Sequence, residues 1–443
     1  MSADEYLDPE LETMGAEGLR ALQQQKLATQ LDYVLARSPF YREKLKAAGI
    51  RREHVRTLAD LARVPLTTKE ELRESQRAAP PLGRHACAEM ADVIRIQAST
   101  GTTGRPSLVG ITRRDAEMWT RVTARSFYTQ GVRRTDIVMH GASLTLFAGG
   151  LPVKDAIERI GATFVPVGTG ASEKLVMIAR TLHANALHST PSYAIYLADH
   201  VRREEKMDPR ELGIEKIVCG AEPGGGIPSV RAKIQESWGA RVTEGLGNAD
   251  MVPILFAECR DQSGMHYNGQ EFVYVEIIDP DSEQVLPIES GVSGELVYTS
   301  LERECVPLVR FRTHDRVNVL GTSCACGRTS FKLRCVGRTD DMLIVLGVNV
   351  FPSAVRDVVS SFRPRTTGEV QILLNEPGPG VKPPLKIVAE FGDGTEPPPG
   401  LQAEIEHKIK AVLTVSSAVQ LVPAGTLPRF EMKGQLVKKL YQS

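Results

Sequence analysis

The sequence predicts an α/β protein in which a large N-terminal domain with mixed sheets precedes a small ferredoxin-like α+β domain. Between about residues 115 and 260, short apolar runs alternate with helical patterns, as they do in a parallel sheet covered by helices. The C-terminal part instead follows the order β-α-β-β-α-β, which is typical of the ferredoxin-like arrangement. A chain of 443 residues is also too long for one simple core. We therefore predict two domains, over 1–339 and 340–443.

The individual elements follow from hydrophobic periodicity. Apolar residues at helical spacing predict a first helix over 18–36, which ends before Pro39. Strands are predicted at 136–139, 164–167 and 216–219, with a helix at 155–160, and an antiparallel unit follows with strands at 271–278 and 294–298. In the C-terminal domain, strands are predicted at 342–346, 370–374, 385–391 and 418–422, and helices at 353–361 and 401–413.

Composition excludes several classes of protein. The 54 basic residues equal the 54 acidic ones, so no bulk positive field favours nucleic acid or an anionic membrane. The acidic N-terminus does not resemble a secretory signal, and the most apolar stretch, 342–351, has about half the length of a membrane span. The odd number of cysteines, 7, disfavours a disulfide framework. We expect a cytoplasmic protein.

A run rich in hydroxyl side chains and glycines is the strongest local motif. It comprises Ser99, Thr100, Gly101, Thr102, Thr103, Gly104, Arg105 and Pro106. Glycines let the backbone point N–H groups at an anion, hydroxyls add donors, and Arg105 adds charge. The run can therefore cradle nucleotide phosphates, although it lacks the Lys-Ser/Thr ending of a Walker loop. By composition alone, an ordinary turn is the commoner interpretation.

Further short segments follow in a fixed order along the chain. They are Gly220-Ala221-Glu222-Pro223, Glu244-Gly245-Leu246-Gly247-Asn248, Arg310 to Asp315, Gly337 to Pro352, and Leu427 to Lys433. Together with the loop at 99–106, these segments resemble the signatures of the adenylate-forming superfamily. The segment 337–352 is especially similar to the phenylacetate–CoA ligases, and the resemblance extends from about residue 18 to the C-terminus.

The resemblance implies an enzyme that uses ATP to convert a carboxylic acid into an acyl-adenylate and then transfers the acyl group to coenzyme A. It assigns nucleotide binding to the loop at 99–106 and to Gly220, Ala221, Glu222, Pro223, Glu244, Gly245, Leu246, Asp315 and Asp340. Lys433 would bridge the carboxylate and the α-phosphate, and Arg338 would contact phosphate or ribose. Mg²⁺ would neutralise phosphate oxygens. A mobile C-terminal domain would then rotate about Asp340 to admit the thiol.

These assignments depend on the order of the motifs. Taken alone, Asp315 would be interpreted as a turn residue, Asp340 as part of a solvated loop, and Lys433 as a surface lysine. The family usually has a stacking aromatic residue at Glu244 and a metal-binding Glu at Asn248, for which Asp250 is an alternative ligand. A nucleotide-binding relative without turnover is therefore a second hypothesis.

Cys259, His266, Cys324 and Cys326 carry the ligand types of a zinc site. Three thiolates and an imidazole suit tetrahedral Zn²⁺, and four protein ligands would leave no open position. We therefore predict a structural metal that clamps the strand-rich region. Cys305 and Cys335 are alternative ligands.

The resemblance places the acid pocket near residues 139–150. The residues assigned to it are His140, Ser143, Phe147, Ala148 and Gly149. Phe147 could flank an aromatic ring, for which the small residues after it would leave room, so an aryl or arylacetic acid is expected. Alternatively, Phe147 belongs to the core. His140 could contact a polar substituent of the acid or merely cap a strand.

The acceptor and the assembly stay open at this point. The acyl group could pass to free coenzyme A or to the phosphopantetheine thiol of a carrier protein, because both reactions share the adenylation step. A homodimer is one assembly that the sequence leaves open, and the identity of the acid is not encoded in any motif.

Overall fold

The structure is a computed structural model that describes residues 5–99, 107–168, 170–346, 348–376, 379–392, 394, 396–428 and 436–442. Its α-helices are α1 (Pro9–Glu12), α2 (Ala16–Arg37), α3 (Pro39–Ala47), α4 (Lys69–Ala78), α5 (Arg113–Thr129), α6 (Leu151–Ile160), α7 (Ser172–Leu182), α8 (Pro191–Arg203), α9 (Pro228–Trp238), α10 (Pro352–Ser360) and α11 (Leu401–Leu413). The predicted helices at 18–36, 353–361 and 401–413 are confirmed as α2, α10 and α11.

The strands include those that were predicted and others, both short and long, that were not. They are β1 (Val93–Ser99), β2 (Ser107–Thr112), β3 (Ile137–His140), β4 (Thr163–Pro166), β5 (Ala186–Ser189), β6 (Lys216–Cys219), β7 (Arg241–Asn248), β8 (Val252–Glu258), β9 (Met265–Tyr267), β10 (Val273–Ile278), β11 (Val285–Leu286), β12 (Ser293–Ser300), β13 (Phe311–Gly321), β14 (Lys332–Arg338), β15 (Leu343–Val345), β16 (Val348–Val350), β17 (Thr366–Leu374), β18 (Gly380–Val381), β19 (Leu385–Phe391), β20 (Ser417–Val422) and β21 (Val437–Lys439).

A mixed sheet of twelve strands forms the centre of the N-terminal part, in the order β11-β10-β12-β13-β14-β9-β8-β7-β6-β5-β3-β4. Strands β3 to β7 pair in parallel, whereas β7 to β14 pair antiparallel. The parallel strands are short apolar runs because helices cover both faces of that part of the sheet. Their carboxyl ends meet at one edge, where ligands bind in open α/β sheets.

The C-terminal part has a hydrophobic core of its own, which includes Val359, Ile372, Ile387 and Ile405. Its main sheet has the order β20-β19-β17-β21. The succession of strands and helices follows the prediction, but the strand order differs from that of a ferredoxin-like sheet. The first strand, β15, pairs with β16 as a local hairpin and with β18, and so lies outside the main sheet. The predicted boundary at residue 340 stays a prediction.

Within the described ranges, no helix combines the length and the apolar character that crossing a bilayer requires.

Candidate active site

The predicted phosphate loop lies at the end of a hairpin. Strands β1 and β2 pair antiparallel, with Ser99 opposite Ser107, so the loop connects two fixed strands. Residues 100–106 of the loop lie outside the described residues. The backbone N–H of Ala98 donates to the carbonyl of Leu146 at 2.8 Å, and Ala98 forms a β-bridge with Phe147. The segment predicted to bind the acid therefore adjoins the start of the phosphate loop.

The turn at 220–223 follows β6 at the carboxyl edge of the parallel strands. Ala221 has a φ of 71°, a left-handed conformation that is costly for a residue with a Cβ and is often found at functional sites. The carboxylate of Glu222 accepts a hydrogen bond of 2.7 Å from the backbone N–H of Ser192, in the first turn of α8. Gly220 donates to the carbonyl of Ser189 at 3.3 Å. These contacts fix the turn against the neighbouring strand-to-helix connection.

The side chain of Glu244 forms a hydrogen bond with the glycine-rich segment that continues this turn. It lies opposite Cys219 in β7, and its Oε1 accepts a hydrogen bond of 3.3 Å from the backbone N–H of Gly224. A Cβ on Gly226 would lie 2.2 Å from Oε2 of Glu244, so a side chain there would displace the carboxylate. Burial, followed by the negative charge of Glu258, raises the pKa of Glu244. The residue that replaces the family's stacking aromatic therefore holds the glycine-rich turn.

We expect Glu244→Ala to lower stability by about 1–3 kcal/mol, because the N–H of Gly224 would lose its buried acceptor. Glu244→Gln keeps an acceptor oxygen and removes a titrating group. Since the folded pKa of Glu244 is raised, the wild type should lose stability relative to this variant as pH rises above about 4.3, the ordinary value for Glu. Thermal unfolding of each variant between pH 4.5 and 8 measures both effects. Glu173→Gln, at an exposed position of α7, is the control, and a pH-independent difference would contradict the assignment.

The structure places the carboxylate that is predicted to bind ribose next to a cationic side chain that is predicted to act in catalysis. Asp315 in β13 lies opposite Arg338 in β14, and Nη1 of Arg338 is 3.4 Å from Oδ1 of Asp315. The same Nη1 donates to the carbonyl of Thr313 at 3.1 Å. This pair directly precedes the short turn at 339–341. The side chain of Asp340 and the whole of Lys433 lie outside the described residues.

The two candidate Mg²⁺ ligands after β7 are engaged by the protein itself. Oδ1 of Asn248 accepts a hydrogen bond of 2.8 Å from the backbone N–H of Met251. Asp250 is nearly buried and forms an ion pair with Lys69. The Asn248 contact lies within the turn between β7 and β8, and the ion pair joins this turn to the start of α4. They leave no free carboxylate among these residues, which disfavours Asp250 as a replacement for the usual Glu.

Four predicted metal ligands converge between β8, β9 and the loop that joins β13 to β14. The ligand atoms of Cys259, His266, Cys324 and Cys326 all lie within 4.8 Å of one another. The Sγ atoms of Cys259 and Cys324 are 3.6 Å apart, and Sγ of Cys326 is 3.4 Å from Nε2 of His266. Zn²⁺ bonds of roughly 2.3 Å to sulfur and 2.0 Å to nitrogen imply tetrahedral edges of roughly 3.7 and 3.5 Å. The donor set and its spacing therefore fit a metal ion.

The predicted acid pocket follows β3. The ring of Phe147 lies over Gly149, because a Cβ there would come within 2.3 Å of the ring. Ala148 is buried, and Oγ of Ser143 is 2.9 Å from Oγ1 of Thr145. His140 is buried at the end of β3 and contacts His188, which sequence reasoning missed. Only His140 follows a predicted strand, and His188 lies in β5, which was not predicted, so no sequence signal indicated the pair.

The C-terminal part contacts the turn at 220–223 directly. Arg356 in α10 donates a hydrogen bond to the carbonyl of Pro223. Oγ of Ser229 in α9 is 2.5 Å from Oδ1 of Asp357, and Lys233 donates to the carbonyl of Thr367 at 2.7 Å. Helix α9 is therefore the surface on which α10 and β17 dock.

Comparisons with known proteins agree with this arrangement. The family described as "AMP-binding enzyme" matches residues 19–301, and "AMP-binding enzyme C-terminal domain" matches residues 347–439. Phenylacetate-coenzyme A ligase of Thermus thermophilus is 35% identical, with 96% of each chain covered. The enzyme of the same name from Escherichia coli is 32% identical, with 98% of this chain and 97% of the relative covered.

A solved relative, 2-hydroxyisobutyryl-CoA ligase, resembles the chain in two states. In the postadenylation state with 2-HIB-AMP, its TM-score is 0.91 at 30% identity, covering 100% of this chain and 94% of that one. In the thioesterification state with 2-HIB-AMP and CoA, its TM-score is 0.73 at 32% identity, covering 99% and 93%.

Fold and site together define an adenylate-forming enzyme with a large nucleotide-binding part and a small C-terminal part. The chain belongs to the AMP-binding enzyme family. It is an AMP-forming ligase that activates a carboxylic acid with ATP and transfers the acyl group to coenzyme A. Catalytic turnover is therefore assigned, and the hypothesis of a relative without turnover is set aside.

Proposed function

We propose that the acid is an aryl or arylacetic acid. The observation that carries this proposal is the position of Phe147, whose ring covers Gly149 beside the strand that leads into the phosphate loop. A half-buried aromatic ring next to small residues suits a flat apolar ligand. The names of the relatives at 32–35% identity, all phenylacetate-coenzyme A ligases, support the same substrate class.

The experiment is a screen for pyrophosphate release with ATP and a panel of carboxylic acids. Phenylacetic and benzoic acids should support turnover, and acetic acid and long-chain fatty acids should not. Phe147→Ala should raise KM for the aromatic acids about tenfold, since it removes one face of aromatic contact. Release of pyrophosphate only with aliphatic acids would contradict the proposal.

We infer that the described arrangement corresponds to the orientation in which the acyl-adenylate has formed. The support is the higher TM-score with the relative's postadenylation state than with its thioesterification state, 0.91 against 0.73. In this orientation Lys433, placed by resemblance in the C-terminal motif, would bridge the acid and the α-phosphate. The domain would then rotate about Asp340 for thiol attack.

Lys233→Ala should slow adenylation several-fold and affect thioester formation less, because the contacts of Lys233 with Thr367 and Glu369 belong to this orientation. The two half-reactions are measured separately by pyrophosphate release and by thioester formation from supplied acyl-adenylate. Lys174→Ala, at an exposed position of α7, is the control. Equal slowing of both steps would indicate that Lys233 serves the fold instead.

Two metals complete the proposal. Mg²⁺ would accompany ATP and neutralise its phosphate oxygens, with less help from protein carboxylates than is usual in the family, since Asn248 and Asp250 are engaged elsewhere. Zn²⁺ is the metal we propose for Cys259, His266, Cys324 and Cys326, because three thiolates and an imidazole are its typical structural ligands.

The remaining finer assignments also stay proposals. Coenzyme A is the acceptor that the relatives' names specify, so loading of a carrier-protein thiol would be an additional activity. A thioester assay that offers both acceptors separates them. A homodimer and a cytoplasmic location remain expectations from the sequence.

A further inference from the structure

Two histidines form a buried pair beside the segment to which the acid pocket is assigned. His140 ends β3 and His188 lies beside it in β5. Their Nδ1 atoms are 3.0 Å apart, and their rings stack with centroids 5.0 Å apart. Phe164 packs against His140 and Phe127 against His188. The segment that carries Ser143 and Phe147 leaves β3 directly after this pair, so the pair lies where that segment meets the sheet.

The pair has an unused hydrogen-bonding atom. His140 is fully buried, and its Nε2 has no partner among the described residues. An unpaired buried polar atom lowers the stability of the fold by roughly 1–3 kcal/mol unless a ligand or a water molecule forms a hydrogen bond with it.

The protonation states of the two histidines determine which groups can form a hydrogen bond with Nε2 of His140. Burial lowers the pKa of His188 to about 4, and burial together with the neighbouring His188 lowers the pKa of His140. Both rings are therefore neutral near pH 7, and one Nδ1 donates to the other. Depending on which one donates, Nε2 of His140 is either a donor or an acceptor. A hydroxyl group complements both states, because it can donate and accept.

We propose that the histidine pair selects a hydroxylated acid, with the substrate hydroxyl bound at Nε2 of His140. This inference rests on the proposed function, because it assumes that the acid enters beside β3. It assigns to His140 and His188 a specificity-determining role that a plain phenylacetate pocket would not need. An unsubstituted acid would leave the buried Nε2 unpaired, so the site should discriminate against it.

The experiment compares pyrophosphate release with phenylacetic acid, its ring-hydroxylated forms and its α-hydroxylated form. We expect kcat/KM for one hydroxylated acid to exceed that of phenylacetic acid at least about tenfold. His140→Phe should reduce this ratio to about one or below. His140→Asn, which restores a hydrogen-bonding group, should recover part of the ratio, and His407→Phe, exposed on α11, should leave it unchanged.

The outcomes separate this inference from the function on which it rests. Turnover of aromatic acids by the wild type with no preference for any hydroxylated form would overturn the inference alone, and that result needs no variant. A preference that survives in His140→Phe would also overturn it. Pyrophosphate release with none of these acids, but with aliphatic ones, would overturn the proposed substrate class and the inference together.

Discussion

Replacing Lys433 by Ala is expected to lower acyl-adenylate formation by at least 10² to 10³-fold, which is about the effect of removing one positioned group from a transition state. Attack of a carboxylate on the α-phosphorus brings two negatively charged groups together, so a cation between them contributes most when the new bond forms. Thioester formation from supplied acyl-adenylate has no such step. We therefore expect it to remain within a few-fold of the wild-type rate.

The measurement is pyrophosphate release for the first step and acyl-CoA formation from synthetic acyl-adenylate for the second. Lys438→Ala is a matched control, since this exposed lysine lies in β21 of the same domain, opposite Leu373 of β17. Loss of both half-reactions to the same degree would contradict the assignment of Lys433 to adenylation alone. It would also remove the main reason to infer that the domain rotates between the two steps.

Replacing one of the proposed zinc ligands is expected to have the largest effect on stability. Cys326→Ser leaves three of the four ligands, and with a free metal concentration a thousandfold above the dissociation constant the lost stabilisation is about 4 kcal/mol. The backbone of this site also anchors the N-terminal segment. The hydroxyl of Tyr6 donates to the carbonyl of Cys326 at 2.8 Å, and the buried Arg328 pairs with Glu12 at 2.7 Å. Loss of the metal should therefore release residues 5–14.

Three measurements test this prediction. Metal analysis should find about one zinc per wild-type chain and much less in Cys326→Ser. Thermal unfolding should shift to lower temperature in the variant, and limited proteolysis should cut the N-terminal segment first. Cys87→Ser replaces a buried cysteine outside the cluster and should keep its zinc. A wild-type chain that is free of metal and equally stable with a chelator would contradict the zinc proposal.

Much of the candidate site could be predicted from the sequence, because each motif is a continuous segment. Gly220 to Pro223 follows a strand as expected, and Asp315 and Arg338 face each other across two paired strands. The four proposed metal ligands could also be selected from ligand type. Nothing in their spacing indicated that residues more than fifty positions apart would meet in the fold. The role of Glu244 could not be predicted, because it depends on a turn that lies beside it only in the folded sheet.

The sequence by itself determined the class of fold, the chemistry and the candidate residues, because periodicity and local motifs are written in consecutive positions. Only the tertiary structure decided which residues meet. The pairing of β3 with β5 brought His140 to His188, and the docking of α10 on α9 brought Arg356 to Pro223. The physical reason is that strand register and helix packing minimise the free energy of the whole chain, so contacts across the sheet are not fixed by neighbours in sequence.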